Sequence, residues 1–268
     1  MILAHKNSQQ IKWLCEKYKN KNIFTYIHID KKANINIFCK EFDGLDNIKF
    51  LNDRISINWG GWSMVKATLN LMETAIINKH DYYFLISGED ISVKSYNYIK
   101  NFLNENETIF IEYNKLPYDK INNKGINRYE RYYFGDFVSQ NRLLKKIFNK
   151  FFYYLHKLYQ RKLPNKLTPY YGSQWFTLPH YCVSYILKYI KDNKNVCLFF
   201  RKTHIPDEMF FQTIILNSHL KSNVINDNLR YIKWDHDQLS PHPNYLSHKE
   251  IKELNNSEFI FARKYRML

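Results

Sequence analysis

Two kinds of segment alternate through the first 90 residues, and this alternation narrows the fold more than any other feature of the chain. Short apolar, β-branched and aromatic runs occupy residues 1–4, 23–29, 48–51 and 82–86. Between them, residues 8–19 carry Ile11, Leu14, Cys15 and Tyr18 at helical spacing. Residues 63–78 read as a long helix with Ser63 as its N-cap. The order strand, helix, strand, strand, helix, strand predicts an α/β fold with a mainly parallel central sheet and helices on both faces. Ligands of such sheets sit beyond the carboxyl ends of the strands. His5, Asp30 and Asp90 each follow an apolar run, so all three are expected at that edge.

Further along, residues 170–178 are strand-like, and helices are expected near 181–191, over 207–218 and near 248–255. Residues 113–170 have no clear period. Within them, residues 141–163 place apolar positions 143, 144, 147, 151, 154, 155 and 158 on one helical face, with basic residues largely on the other. No acidic residue occurs between Asp136 and Asp192. A basic amphipathic helix with aromatics suits an anionic membrane surface; the same pattern also describes a helix packed on the domain with a solvated basic face.

The formal net charge of +15 calls for something anionic as a partner: nucleic acid, acidic lipid or a phosphorylated ligand. Among nucleic-acid binders no known motif matches, so that class is set aside as the weaker reading. A membrane-surface binding protein without catalysis is the other non-enzymatic reading. Cys15, Cys39, Cys182 and Cys197 are widely spaced with no Cys-x-x-Cys pair, which argues for reduced, mostly core thiols and against a zinc site. Neither Gly-x-Ser-x-Gly nor a glycine-rich phosphate loop is present. The first residues read directly as a strand rather than a leader, and no run of about 18 apolar residues occurs, so a cytoplasmic, at most membrane-peripheral, protein is expected. Asp235-His236-Asp237 spells a cation-chelating triplet, but it follows Trp234 in an irregular stretch, and no metal ligand is assigned.

Seven short motifs, in order and at matching spacing from residue 2 to residue 264, carry a resemblance. They are Ile2-Leu3-Ala4-His5-Lys6-Asn7, Tyr26-Ile27-His28-Ile29-Asp30-Lys31-Lys32, Trp59-Gly60-Gly61-Trp62-Ser63 and Tyr83-Phe84-Leu85-Ile86-Ser87-Gly88-Glu89-Asp90. Gly172-Ser173-Gln174-Trp175-Phe176, Pro206-Asp207-Glu208-Met209-Phe210-Phe211-Gln212-Thr213 and Phe261-Ala262-Arg263-Lys264 complete the set. The chain resembles the family of core-2/I-branching N-acetylglucosaminyltransferases and peptide O-xylosyltransferases, with the match weakest over 113–170.

That resemblance implies a nucleotide-sugar transferase fold of the GT-A type, inverting and independent of metal, with no cofactor besides a UDP-sugar donor. It implies one domain over 1–268, with a nucleotide-binding half (1–112) and an acceptor and catalytic half (113–268). By resemblance Glu208 is the catalytic base. Asp30 contacts the uracil, Ala4 and His5 border the nucleoside, and Trp59 lies near the uridine. Arg263 and Lys264 bind the diphosphate, and His242 stands about where some relatives carry a further Arg; Asp90, read from its own place, either is a turn residue or orients the donor sugar. Ser173, Trp175 and Trp234 are expected on the substrate side, Trp234 against the acceptor. The implied partners are a UDP-sugar and a glycan or lipid-linked acceptor, with no nucleic acid. Read alone, each residue has a plainer role. Glu208 suits the first turn of a helix, Asp30 a strand-end cap, Trp59-Gly60-Gly61 a turn, and Arg263-Lys264 a solvated basic end.

Overall fold

The structure is a computed structural model that describes residues 1–19, 21–42, 44–104, 107–136, 160–234 and 242–267, with residues 143, 144, 146, 147, 150–152 and 154 between them. Asp235, His236, Asp237 and much of the basic segment 141–163 lie outside the described residues.

The first half gives β1 (Ile2–Ala4), α1 (Ser8–Lys17), β2 (Thr25–Ile29), α2 (Ile35–Glu41), β3 (Ile48–Phe50) and α3 (Trp62–Ala75). Then come β4 (Tyr82–Phe84), β5 (Ile86–Ser87), β6 (Ile91–Ser92), α4 (Tyr96–Asn104) and β7 (Ile109–Ile111). Beyond it lie β8 (Asn114–Lys115), α5 (Asn127–Glu130), β9 (Tyr170–Tyr171), β10 (Phe176–Pro179), α6 (His180–Asp192), α7 (Lys194–Phe200) and α8 (Phe210–Leu216). The chain closes through β11 (Val224–Ile225), β12 (Arg230–Ile232), α9 (His248–Glu253) and β13 (Phe261–Arg263).

The expected parallel sheet is present, in the order β3-β2-β1-β5 with every pairing parallel. Helices cover both of its faces, because successive side chains of a strand point opposite ways. Ile2, Ala4, Ile27 and Ile29 pack against α1 and α2, while Leu3 and Tyr26 join the core that holds α3, α6 and α8. Such two-sided burial explains why these strands read as continuous apolar runs.

A second sheet, β11-β7-β10-β4, is mixed: β10 runs antiparallel to both β4 and β7. The apolar run at 82–86 is therefore not one strand. Up to Phe84 it pairs with β10; Leu85 still donates to Phe176 O, and Ile86 donates instead to Met1 O. One run thus passes from sheet to sheet, and neither apolar period nor composition marks the change. Strands from both halves of the chain pair with each other: β10 with β4 and β7, and β13 with β6.

Two local expectations are corrected. The N-cap of α3 is Gly61, not Ser63. Ser63 sits in the first turn, where its N–H and hydroxyl both donate to Asp136, at 2.8 and 2.6 Å, so a carboxylate 73 residues away caps the helix. A Cβ on Gly61 would lie 2.4 Å from that carboxylate, which accounts for the second glycine of Trp59-Gly60-Gly61. The helix expected over 207–218 is also divided. A 3-10 turn, Pro206–Glu208, precedes α8, and Glu208 is the last residue of the turn rather than the first turn of a long helix.

Candidate active site

Parallel pairing brings the carboxyl ends of β1, β2 and β5 to one edge, and with them His5, Asp30 and the loop Gly88–Asp90. The Asp30 N–H donates to Ala4 O at 2.8 Å, and Gly88 N–H to Leu3 O at 3.1 Å. A Cβ on Gly88 would meet Lys6 O at 3.2 Å and the Ala4 methyl at 3.3 Å, so the loops after β1 and β5 touch through backbone. The Asp30 carboxylate accepts from Lys32 N–H at 2.9 Å and lies 3.7 Å from the Lys32 ammonium.

At the end of β5 the Asp90 carboxylate is sealed from water. Its Oδ1 lies 3.7 Å from Nε of Arg263, at the end of β13, and 3.7 Å from Nε of Arg230, at the start of β12. Both guanidinium groups lie over Trp175, Arg263 at 4.5 Å and Arg230 at 5.5 Å from the ring centroid. Cation–π attraction is strongest for such desolvated groups. Two cations share one carboxylate, which leaves a local excess of positive charge under the strand ends. Arg263 Nε and Nη1 are buried without a hydrogen-bond partner among the described residues.

Lys264 meets the neighbouring carboxylate, Glu89. Its ammonium lies 3.7 Å from Glu89, which also pairs with Lys6 at 2.9 Å and accepts from the Tyr245 hydroxyl at 2.7 Å. Burial would raise the Glu89 carboxyl, but the Lys6 and Tyr245 hydrogen bonds and the Lys264 charge outweigh it and hold the group at about 2.

Glu208 occupies a second group. Its Oε2 accepts from Arg128 Nη1 at 2.6 Å, and its backbone carbonyl accepts from Gly172 N–H at 2.9 Å. The Arg128 guanidinium lies 4.4 Å from the Tyr171 ring centroid. Burial pushes the Glu208 carboxyl up while Arg128 pulls it down, and the net direction is upward. Asp207 beside it is raised by burial and then by the Glu208 charge; Glu112, at the end of β7, is raised by the same two causes. Gly172 fits only because it lacks a side chain: a Cβ would stand 1.8 Å from Glu112 O.

Two connections join the groups. Glu112 accepts from Asn228 at 2.6 Å, and Arg230 donates to the Asn228 carbonyl at 3.4 Å. The segment from Gly172 to Trp175 runs from Glu208 to the guanidinium pair, its turn fixed by Trp175 N–H donating to Ser173 Oγ and by Gln212 donating to Ser173 O. A cleft of about 470 Å³ lies alongside, lined by Glu112, Asp227, Asn228, Arg230, Tyr231 and Trp234 among others.

The model of the Core-2/I-Branching enzyme family matches residues 1–259. The chain belongs to that family. Xylosyltransferase 1 of Rattus norvegicus is 22% identical over 244 residues, 88% of this chain and 27% of that protein. Xylosyltransferase 2 of the same organism is 25% identical over 246 residues, 88% and 26%. The xylosyltransferase oxt of Drosophila pseudoobscura pseudoobscura is 26% identical over 222 residues, 80% and 23%. The chain therefore spans about a quarter of the length of these curated relatives. Among solved structures it is similar to an apo structure of the bifunctional glycosyltransferase WbbM, with a TM-score of 0.45 and 11% identity over 97% of this chain and 44% of that one.

In this core-2/I-branching chain the residues singled out from sequence fall into distinct places. Ala4, His5, Asp30 and Asp90 share the strand-end edge, and Trp175 and Arg263 meet there. Trp59 is an exposed rim residue, edge-on to His204 at 6.3 Å, just ahead of the Glu208 turn. Trp234 lines the cleft, also exposed. His242 is exposed, two residues before Asn244, whose carbonyl accepts from Lys264 N–H at 3.3 Å. The Ser173 hydroxyl holds the turn before Trp175. Sequence reasoning missed Arg128, Arg230, Glu112 and Glu89. Glu89 stood inside a quoted motif beside Asp90; the other three are single charged residues with no local signature.

Proposed function

We propose that the chain is an inverting glycosyltransferase of the GT-A type that needs no metal ion. It moves a sugar, N-acetylglucosamine, xylose or a similar residue, from a UDP-sugar to a hydroxyl of a glycan or lipid-linked acceptor, in the building of a bacterial surface polysaccharide or lipooligosaccharide. The observation that carries this reading is the separation of the Glu208 carboxylate from the Arg230–Arg263 pair, with the Gly172–Trp175 segment between them. Membership of the core-2/I-branching family supports it.

The chemistry follows from the two groups. Glu208 takes the proton of the acceptor hydroxyl as that oxygen attacks the anomeric carbon. The bond from that carbon to the phosphate oxygen breaks, and the electron pair leaves on the diphosphate. Arg263 and Lys264, with His242 at the rim, stabilise this charge in place of a divalent cation. Asp30, Ala4, His5 and Trp59 hold the nucleoside at the strand ends. Asp90 fixes the guanidinium groups beneath the donor sugar, and Trp175 and Trp234 offer faces on which a pyranose packs.

The apolar stripe of the segment 141–163 rests on an anionic membrane surface at the cytoplasmic side in this reading. Support comes from Leu143, Leu144, Ile147, Phe151 and Tyr154, at helical spacing and all exposed, together with the basic residues between them. Among the described residues no helix is long and apolar enough to cross a membrane.

A thermal-shift screen of UDP-sugars tests the donor: the correct donor raises Tm by mass action. Transfer from that donor proceeds equally with and without EDTA. Strict dependence on manganese overturns the metal-free reading and directs attention to Asp235 and Asp237.

A further inference from the structure

We propose that Arg128 is the positioning residue of the base: it fixes Oε2 of Glu208, offsets the surrounding carboxylates, and leaves Oε1 to meet the acceptor hydroxyl. This inference rests on the reading of Glu208 as base.

Glu208 stands in an unusually acidic setting for a group that must stay ionised. Asp207 comes from its own turn and Glu112 from the end of β7, with Asp227 next to Glu112. Tyr171 faces it from β9. Arg128, from α5, is the cation among these described groups. Without it, the burial that raises the Glu208 carboxyl is unopposed and favours the protonated form, which cannot accept a proton.

The geometry also limits where the carboxylate can point. The carbonyl of Arg128 accepts from His204 N–H at 2.9 Å, which ties α5 to the segment leading into the Glu208 turn. Its guanidinium lies over Tyr171, and the next residue, Gly172, donates to the Glu208 carbonyl. Main chain and side chain of Glu208 are thus held from neighbouring residues of one strand end. With Oε2 engaged by Arg128, Oε1 has no hydrogen-bond partner among the described residues. A planar guanidinium stacks flat on the ring and presents its N–H donors in a fixed fork, whereas an ammonium is a point charge without that fixed direction.

The test uses the full chain labelled with ¹³C at the glutamate carboxyl carbon, Glu208 being assigned by loss of its signal in Glu208→Gln. Its titration midpoint is read by NMR in wild type, Arg128→Gln and Arg128→Lys. UDP release from UDP-xylose with water as acceptor is followed against pH in parallel. In Arg128→Gln the midpoint and the acidic limb of kcat move up together by about one pH unit or more, a tenfold loss of ionised base per unit. KM for UDP-xylose changes by less than about twofold, because uniform binding is untouched. Arg128→Lys falls between, keeping charge but not stacking. It also serves if Arg128→Gln does not fold. An unmoved midpoint, or a loss confined to Tm and KM, overturns the role of Arg128. Full activity of Glu208→Gln would instead overturn the base assignment itself, so the two failures are told apart.

Discussion

The carboxylate of Asp90 and the guanidinium of Arg230 lie 3.7 Å apart with both side chains wholly shielded from water, although 140 residues separate them. Arg263 approaches the same oxygen at the same distance. One anion therefore lets two cations be buried beside Trp175.

Removing that anion is expected to be costly. Asp90→Asn leaves two guanidinium groups facing each other in a medium that screens them poorly, and a loss of about 3–5 kcal/mol is expected. Urea denaturation of both proteins measures it. A change below about 1 kcal/mol, typical of a surface site, is incompatible with the sealed cluster.

Glu208→Gln keeps the size and the contact side of the residue but removes its basicity. Transfer is expected to fall by about 10²–10⁴-fold, the usual contribution of a general base. Calorimetric UDP binding stays at the wild-type level, since the cationic cluster is intact. Near wild-type transfer would remove Glu208 from the reaction.

Gly172→Ala places a methyl group 1.8 Å from the Glu112 carbonyl, and backbone must move to admit it. Overpacking of this kind costs about 1–3 kcal/mol. Because Gly172 N–H holds the Glu208 main chain, kcat is expected to fall about 100-fold even well below Tm. A variant that loses stability but keeps kcat would show that this hydrogen bond does not place the base.

Glu89 makes stability depend on acid. Its carboxyl is held at about 2 in the fold against an ordinary 4.5. A depressed value means that the stabilisation is complete above the unfolded value and is lost as pH falls through the folded one. Tm of the wild type should therefore exceed that of Glu89→Gln above about pH 5, and the gap should close as pH falls from about 4.5 towards 2. A gap that does not vary with pH would count against the Lys6, Tyr245 and Lys264 contacts.

Much of the parallel-sheet architecture was legible because its signals are local. β1 and β2, in the runs at 1–4 and 23–29, are buried on both faces, so they read as near-continuous apolar runs, while the run at 48–51, with β3 at the sheet edge, keeps only Ile48, Phe50 and Leu51 around an exposed Lys49; each run supplies a strand of the parallel sheet. Asp30 and Asp90 sit where a chain leaves a buried strand, and that position can be read without a structure. The run at 82–86 misled because a strand that changes partner keeps the same composition. Ser63 misled because the true cap, Asp136, arrives from outside the local window. The turn at Pro206–Glu208 was hidden because a 3-10 turn and the first turn of a helix share residue preferences.

The sequence alone determined which segments must be buried and in what order the chain visits them, since apolar period and β-branching act over a few residues. It also determined the family, through short motifs whose order survives divergence. Only the tertiary structure decided which charged and polar groups meet. Arg128 with Glu208, Arg230 with Asp90, and Glu112 with Asn228 are pairs across 80, 140 and 116 residues. Coulomb and hydrogen-bond energies depend on distance in space and on exclusion of water, and neither quantity exists until the sheets have closed.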